Sequence, residues 1–278
     1  MKKQPYLQYD QGYIKDKSFG ALHIYLPTSD GYIDYVIAHS LDPEIFCDTW
    51  RLATALSVDD ELEVRRELNP RAEWDMAIFI EGRDDFIGGL LHGDEKCFDM
   101  SVSADGCELD PSDIIELYPF TELSVSVSSV GLDPEDHRTK VLLHKKDYTA
   151  TAEGIETAQT VEWLGDYKLG TSYMAMMPPY KELTDIYFTD VDPARKRIDS
   201  SSFNIVGARS ATLLGEDSGY SFTMSVSGYP DYAGADRLNV RDNGGRPYNK
   251  MYFPVCAYAE VKRGDEWNTV TRYRIEKR

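Results

Sequence analysis

The sequence predicts an all-β fold, an antiparallel β-sandwich or jelly roll with few short helices. Apolar and polar residues alternate with a period of two along much of the chain, which is typical of strands with one buried face. Three segments nearly repeat one another, at 98–103 (FDMSVS), 123–128 (LSVSVS) and 222–227 (FTMSVS). Turn-forming pairs such as Asp105-Gly106 and Ser218-Gly219 separate the alternating segments. Many short strands between such turns favour a sandwich over an α/β fold.

The same alternation predicts eight further strands, in chain order. They are 20–25, 32–38, 74–80, 139–144, 172–177, 210–214, 251–258 and 270–275. Two short helices are predicted at 51–58 and 111–118, the second capped by Asp110 with Pro111 in its first turn. The polar segment 145–160 is predicted as a loop between sheets, and Asn243-Gly244 as a turn. No linker divides the chain, so residues 1–278 are predicted to form a single β-sandwich domain.

The net charge of −18 excludes some partners. Nucleic acids and anionic membranes require a basic surface, so neither is predicted as a partner. The amino-terminal residues are polar and no apolar run is long enough to span a membrane, so we expect a soluble protein without a signal peptide. The sequence leaves its cellular location and oligomeric state open.

The four cysteines do not form a metal motif. No Cys-x-x-Cys pair and no histidine at zinc-finger spacing is present, so neither a metal site nor another cofactor is predicted. Cys97 and Cys107 flank a predicted hairpin and are the one pair considered for a disulfide, with free thiols as the alternative. Motifs for phosphate binding, a serine nucleophile elbow and zinc proteases are also missing.

The segment around His92 is the first candidate for chemistry. Two glycines precede it at 88–89, and a histidine at the end of a predicted strand would be held rigidly where a ligand can approach the backbone. Histidine titrates near neutral pH and can act as an acid or a base. Asp94 and Glu95 follow it and are predicted to orient the histidine or to bind sugar hydroxyls. The alternative is a histidine that is hydrogen-bonded in a turn.

A second candidate is the tyrosine-rich segment 248–253. On a strand, Tyr248, Lys250 and Tyr252 share one face, whereas Asn249, Met251 and Phe253 share the other. Two tyrosines beside a lysine suit stacking on sugar rings together with a contact to a carboxylate or hydroxyl. The alternative is a solvated strand face with an extended lysine.

Three segments resemble signatures of the jelly-roll polysaccharide lyases of the alginate-lyase type, in the same chain order. They are 65–69 (RRELN), 90–93 (LLHG) and 252–258 (YFPVCAY). The resemblance implies a concanavalin-like fold that performs β-elimination on an acidic glycan in a concave groove, without a cofactor. It also implies that Arg66 neutralises the substrate carboxylate, that His92 acts as base or neutraliser, and that Tyr258 protonates the leaving oxygen.

The chain departs from that pattern at three polar positions. Leu90 stands where the family has glutamine, Asn69 where it has a second arginine, and Pro254 where it has lysine. Losing these groups would weaken stabilisation of an enolate-like intermediate. A non-catalytic glycan-binding or adhesion module, on a phage tail or a cell surface, is therefore a rival hypothesis. A third is a glycoside hydrolase that uses Glu61 and Glu63, which would face one side of a strand.

Overall fold

The computed structural model describes residues 3–15, 18–70, 74–199, 202–228, 237–242, 244–256 and 258–278. Strands dominate these residues. The first twelve strands are β1 (Tyr6–Lys15), β2 (Ser18–Thr28), β3 (Gly31–Asp42), β4 (Cys47–Val58), β5 (Val64–Glu67), β6 (Ile78–Phe79), β7 (Phe86–Ile87), β8 (Glu95–Ala104), β9 (Cys107–Leu109), β10 (Tyr118–Pro119), β11 (Leu123–Leu132) and β12 (Lys140–Thr151).

The second half of the chain continues the same pattern. Its strands are β13 (Gly154–Trp163), β14 (Tyr167–Lys168), β15 (Ser172–Met177), β16 (Ile186–Thr189), β17 (Lys196–Arg197), β18 (Ser202–Val206), β19 (Ser210–Leu214), β20 (Tyr220–Gly228), β21 (Arg237–Asp242), β22 (Asn249–Cys256), β23 (Glu260–Val261) and β24 (Glu266–Lys277). The helices of the described residues are α1 (Gly89–His92) and three 3-10 turns at Pro43–Ile45, Pro111–Asp113 and Lys181–Leu183. None of these helices is long and apolar enough to cross a membrane.

Most strands belong to one large sheet. Its path is β10-β1-β2-β3-β4-β8-β11-β12-β13-β24-β20-β19-β16-β17, with β5 attached to β4 and β9 to β8. Neighbours are antiparallel except at β4 and β8, which pair in parallel over Cys47–Glu95 and Asp48–Lys96. The sheet folds back on itself, since the backbone N–H of Ile275 on β24 donates to the Tyr35 hydroxyl on β3 at 2.9 Å.

A smaller sheet packs against the large one. It contains β15, β22, β21 and β18 in that order, and all its pairings are antiparallel. The two layers share one hydrophobic core, to which the small sheet contributes Met251, Phe253 and Val240. The large sheet contributes the alternate residues of its strands, among them Leu22 and Tyr273. Burial on one side of each sheet explains the period-two pattern of the sequence.

The structure confirms the all-β prediction in its coarse form. The predicted strands at 20–25, 32–38, 98–103, 123–128, 172–177, 210–214, 222–227 and 270–275 all lie within strands. Segment 139–144 begins β12 at Lys140, and segment 251–258 ends its strand at Cys256. Of 74–80, only Ile78–Phe79 is a strand. The cap at Asp110 is present, because its side chain accepts from the Ser112 N–H at 2.9 Å, although the helix ends at Asp113. Jelly-roll or concanavalin-like topology and a single domain stay predictions.

Two predictions of secondary structure are wrong. Segment 51–58 lies in β4 and is not a helix. Its leucine and alanine residues favour a helix locally, but pairing with β3 and burial on both faces override that propensity. Segment 145–160 is not a loop, because it forms most of β12 and β13. The predicted turn at Asn243-Gly244 begins at Asn243, which lies outside the described residues.

The disulfide considered between Cys97 and Cys107 is absent, and both are free thiols. The register of the hairpin explains why. Cys107 pairs with Ala104 on β8, seven positions beyond Cys97. At about 3.3 Å per residue these seven positions separate the two cysteines by roughly 23 Å, far beyond the reach of a disulfide.

Candidate functional site

The outer face of the small sheet carries a group of aromatic and cationic side chains. Met251 and Phe253 of β22 point into the core, so the alternate residues Lys250 and Tyr252 lie on the opposite face. The register places Arg241 opposite Lys250, and Asn239 and Met176 opposite Tyr252. We call this surface the tyrosine–lysine face; its residues are Tyr173, Met176, Asn239, Arg241, Tyr248, Lys250 and Tyr252.

Lys250 lies between two tyrosine rings. Its Nζ is 5.6 Å from the centroid of the Tyr248 ring and 5.1 Å from that of Tyr252. All three side chains are buried. An ammonium group within about 6 Å of a ring is attracted by the negative ring face. The structure thus brings together the three residues that the alternation assigned to one face, but it holds them buried and not as a solvated strand face.

Arg241 makes the tyrosine–lysine face locally positive. It lies directly opposite Lys250, and two like charges at such positions repel each other. The Arg241 Nε is buried and has no hydrogen-bond partner among the described residues. A buried donor without an acceptor is costly, and an acceptor from a ligand would remove that cost. This positive region stands out in a chain with a net charge of −18.

Tyr173 extends the aromatic surface. Its ring lies against that of Tyr252, with centroids 4.2 Å apart and an angle of 33° between the planes. Burial raises the pKa of Tyr173, and the nearby charge of Arg241 offsets part of that rise. Its hydroxyl therefore remains a protonated donor at neutral pH.

His92 approaches the tyrosine–lysine face from one edge. Ala77, Met176 and Tyr252 form a small buried cluster on which Phe86 packs. The His92 ring lies 4.8 Å from the Phe86 ring, and its Nδ1 lies 2.7 Å from Asp85 Oδ1. His92 ends the four-residue helix α1 and not a strand as predicted. A carboxylate at Nδ1 fixes the ring and leaves Nε2 for other contacts.

The glycines near His92 serve the fold. Gly88 has a φ of 109° and Gly93 a φ of 77°. A Cβ at Gly93 would lie 1.8 Å from the Ile45 carbonyl oxygen, and one at Gly88 would lie 2.7 Å from that of Met76. The close approach that the glycines permit is therefore made by the chain's own backbone.

Arg66 and Tyr258 have surroundings different from those of His92. Arg66 is exposed on β5 and forms an ion pair with Glu182 at 3.2 Å. Tyr258 is 78% exposed and has a φ of 60°. No described contact joins either residue to His92, so the three proposed catalytic residues do not form one bonded group. Their catalytic roles stay predictions.

Asp94 and Glu95 point into the fold. Asp94 is buried and its Oδ1 lies 2.7 Å from His137 Nδ1. Burial raises the pKa of Asp94, with His137 opposing that rise. Glu95 is also buried, and burial alone would raise its pKa. The neighbouring Lys146, His144 and Ser129 outweigh burial and hold the pKa of Glu95 well below its usual range. Binding of a sugar by Asp94 and Glu95 stays a prediction, and both carboxylates already have partners within the protein.

Glu61 and Glu63 do not share a strand face, which corrects the geometry expected of them. Both lie in the exposed turn before β5, which begins at Val64. Their backbone N–H groups donate to Asp59 Oδ1 at 3.1 and 2.9 Å. An Asp side chain that accepts from the next residues favours a turn over a strand.

Sequence analysis missed four residues of the tyrosine–lysine face. Asn239 and Arg241 lie on β21, where the alternation of 237–242 (RLNVRD) was a strand signal that we did not use. Tyr173 and Met176 lie in a methionine-rich strand whose residues are mostly buried. Contact of the Tyr173 ring with Tyr252 and the pairing of Met176 with Tyr252 bring them to this face.

No protein-family model matches the chain, and no curated protein matches its sequence. Solved structures do match it. The galactosidase domain of the α-galactosidase–sucrose kinase AgaSK has a TM-score of 0.53 and 7% identity, over 92% of this chain and 40% of that chain. A variant of a glycoside hydrolase family 97 enzyme from Pseudoalteromonas sp. strain K8 has a TM-score of 0.50 and 9% identity, over 90% and 35%. A galactose mutarotase-like protein from Clostridium acetobutylicum has a TM-score of 0.49 and 8% identity, over 98% and 99%.

These likenesses concern the fold alone. The chain has a β fold that is also found in carbohydrate-active proteins. It spans about 40% and 35% of the first two chains. These structures are not polysaccharide lyases, so the comparisons support a shared β fold and not the lyase resemblance found in the sequence.

Proposed function

We propose that this protein binds an acidic saccharide on the tyrosine–lysine face. The observation that carries the proposal is the position of Lys250 between two tyrosine rings with Arg241 directly opposite. Tyrosine rings stack on the apolar faces of sugar rings, and the two cations would pair with a carboxylate or sulfate. The β fold shared with a galactosidase domain and a family 97 glycoside hydrolase supports a saccharide as the ligand.

Charge decides between acidic and neutral sugars at this face. A net charge of −18 repels an anionic polymer at long range. Lys250 and Arg241 reverse the sign of the field locally, and an anionic group would relieve their mutual repulsion. Arg241 can also offer its buried Nε as a donor. A neutral sugar offers no charge to pair with either cation.

Binding assays with paired oligosaccharides test this proposal. Oligogalacturonate, alginate and hyaluronan oligosaccharides should bind, and neutral galacto- and malto-oligosaccharides of equal length should bind this face more weakly. Lys250→Met should weaken binding at least about tenfold, because a hydrogen bond to a charged group contributes about 1.5–3 kcal/mol. Lys145→Met, at an exposed lysine of β12, is the matched control. Equal binding of neutral and acidic oligomers, unaffected by Lys250→Met and Arg241→Met, would refute the proposal.

A second candidate function is cleavage of the bound saccharide. The comparison structures favour hydrolysis, since two of them are a galactosidase domain and a glycoside hydrolase. Hydrolysis releases new reducing ends, whereas the β-elimination implied by the lyase resemblance also creates an ultraviolet-absorbing unsaturated uronate. For hydrolysis, Glu61→Gln and Glu63→Gln test the glutamate pair. Binding without either product leaves the protein as a non-catalytic glycan-binding module.

A further inference from the structure

A cleft of about 510 Å³ lies over β1 and β2 of the large sheet. Leu7, Leu22 and Ile24 of these strands fill the core. The alternate residues therefore face outward, and they line the cleft together with the segment that follows Asp110. The side chains that matter for a ligand are Gln8, Asp10, Gln11, His23, Tyr25 and Ser112.

His23 is held in place by a buried carboxylate. Its Nδ1 lies 2.7 Å from Asp34 Oδ2, and Asp34 is buried on β3. The His23 ring stacks on Tyr25, with centroids 6.0 Å apart and 15° between the planes. Burial would lower the pKa of His23, but Asp34 and Asp10 outweigh it and raise that pKa. With Nδ1 occupied by Asp34, Nε2 is the ring atom that His23 can offer to a ligand in the cleft.

The remaining polar groups of the cleft suit hydroxyls. Gln8 is fixed, because its Nε2 donates to the Ile115 carbonyl oxygen at 3.2 Å and its Oε1 accepts from the Tyr25 hydroxyl at 3.3 Å. Burial, with Asp34 and Asp10 adding to it, raises the pKa of Tyr25, so this hydroxyl stays protonated. Gln11 adds an exposed amide and Asp10 a carboxylate. Amide, carboxylate and imidazole groups beside tyrosine rings provide donors, acceptors and a stacking surface for a polyol.

We propose that this cleft is a second saccharide-binding site, selective for neutral sugars. Charge separates it from the tyrosine–lysine face. His23 and Asp34 form an ion pair without net charge when the ring is protonated, and Asp10 adds one negative charge that repels an anionic sugar. The two sites are built from different strands: His23 lies on β2 of the large sheet and Lys250 on β22 of the small sheet, and both side chains point away from the core that the sheets share. The protein would then hold a neutral and an acidic sugar unit at the same time.

Nuclear magnetic resonance of the histidine rings tests the proposal on the full chain. Methyl galactoside, glucoside and mannoside are the neutral probes, and galacturonate is the acidic counterpart of galactose. At tens of millimolar, at least one neutral probe should shift the His23 ring signals while galacturonate leaves them unchanged. His23→Gln lacks the reporter ring, so its binding is followed on the signals of the sugar, and it should be roughly tenfold weaker, the effect of about one charge-assisted hydrogen bond. His39→Gln removes a similar histidine–aspartate pair outside the cleft and should have no effect.

Two further variants separate possible outcomes. Gln11→Ala changes an exposed cleft residue without touching the core, and it should weaken binding even if His23→Gln fails to fold. Lys250→Met should leave the His23 shifts unchanged. Loss of acidic-sugar binding at the tyrosine–lysine face is therefore distinguished from loss of neutral-sugar binding in the cleft. No shift with any neutral probe, a larger shift with galacturonate, or equal losses in His23→Gln and His39→Gln would overturn the proposal.

Discussion

Lys146 Nζ lies 3.3 Å from Glu95 Oε1, and both side chains are buried between the two sheets. The pair belongs to a larger polar network. Glu95 also accepts from the Ser129 hydroxyl at 2.6 Å and lies 3.0 Å from His144 Nδ1. Lys146 also donates to the Trp50 carbonyl oxygen at 2.9 Å. These contacts join β4, β8, β11 and β12 inside the core, where each charge depends on its partners.

Removing the cation should destabilise the fold strongly. Lys146→Met leaves the Glu95 carboxylate buried beside fewer donors, and breaking a buried ion pair in this way costs about 3–5 kcal/mol of unfolding free energy. Urea denaturation followed by circular dichroism measures this change. Lys145→Met, one residue away and exposed, should cost less than about 1 kcal/mol. The double variant Lys146→Met/Glu95→Gln should recover part of the loss. Similar stability of both single variants would contradict this account of the network.

Glu95 should also give the protein a characteristic response to acid. Its pKa in the fold lies well below the ordinary value of 4.5, so it stabilises the native state fully above that value. As the pH falls below 4.5 towards the lowered pKa, the unfolded state gains protons first and this stabilisation is lost. Glu95→Gln should therefore flatten the dependence of unfolding free energy on pH below 4.5. Glu156→Gln, at an exposed carboxylate paired with Arg272, should leave the slope nearly unchanged. Parallel slopes for wild type and Glu95→Gln would count against the assignment.

Substitutions at Gly93 and Gly106 distinguish the cost of backbone strain from the cost of a steric clash. Both have positive φ, at 77° and 79°. A Cβ at Gly106 meets nothing within 4 Å, whereas one at Gly93 lies 1.8 Å from the Ile45 carbonyl oxygen. Gly106→Ala should cost about 1–2 kcal/mol of stability from backbone conformation alone. Gly93→Ala should cost at least about 1–3 kcal/mol more because the backbone must shift. Thermal unfolding measures both, and equal losses would show that the loop before β8 accommodates a side chain.

Substitution of His92 tests whether this residue has a catalytic role. If the bound saccharide is cleaved, His92→Ala should lower the turnover rate by roughly 10²-fold, the usual contribution of a positioned acid or base. The change should leave the melting temperature close to wild type, because His92 lies at the end of the short helix α1 and is partly exposed. His39→Ala is the control at another aspartate-paired histidine. An unchanged turnover rate in His92→Ala would restrict His92 to a structural role with Asp85.

Part of the candidate site was predictable because strand alternation is local. The period of two placed Tyr248, Lys250 and Tyr252 on one face without knowledge of any neighbour. The same rule could not supply Arg241, which reaches that face through the pairing of β21 with β22, or Tyr173, whose ring contacts Tyr252. It also could not place Arg66 relative to His92, since short motifs in the same chain order carry no information on distance.

The strand-rich class of the fold, most strand positions and the net charge of −18 follow from the sequence alone. These properties depend on residues a few positions apart, and strand sterics translate them directly into alternation and turns. That 145–160 forms most of β12 and β13, with alternate side chains buried, depends on the tertiary structure. The polar composition of this segment predicted a loop, but two of its polar side chains, Lys146 and Gln159, have buried partners elsewhere in the chain, the carbonyl oxygens of Trp50 and Met174. A buried charge is stable only beside such partners, and folding alone brings them together.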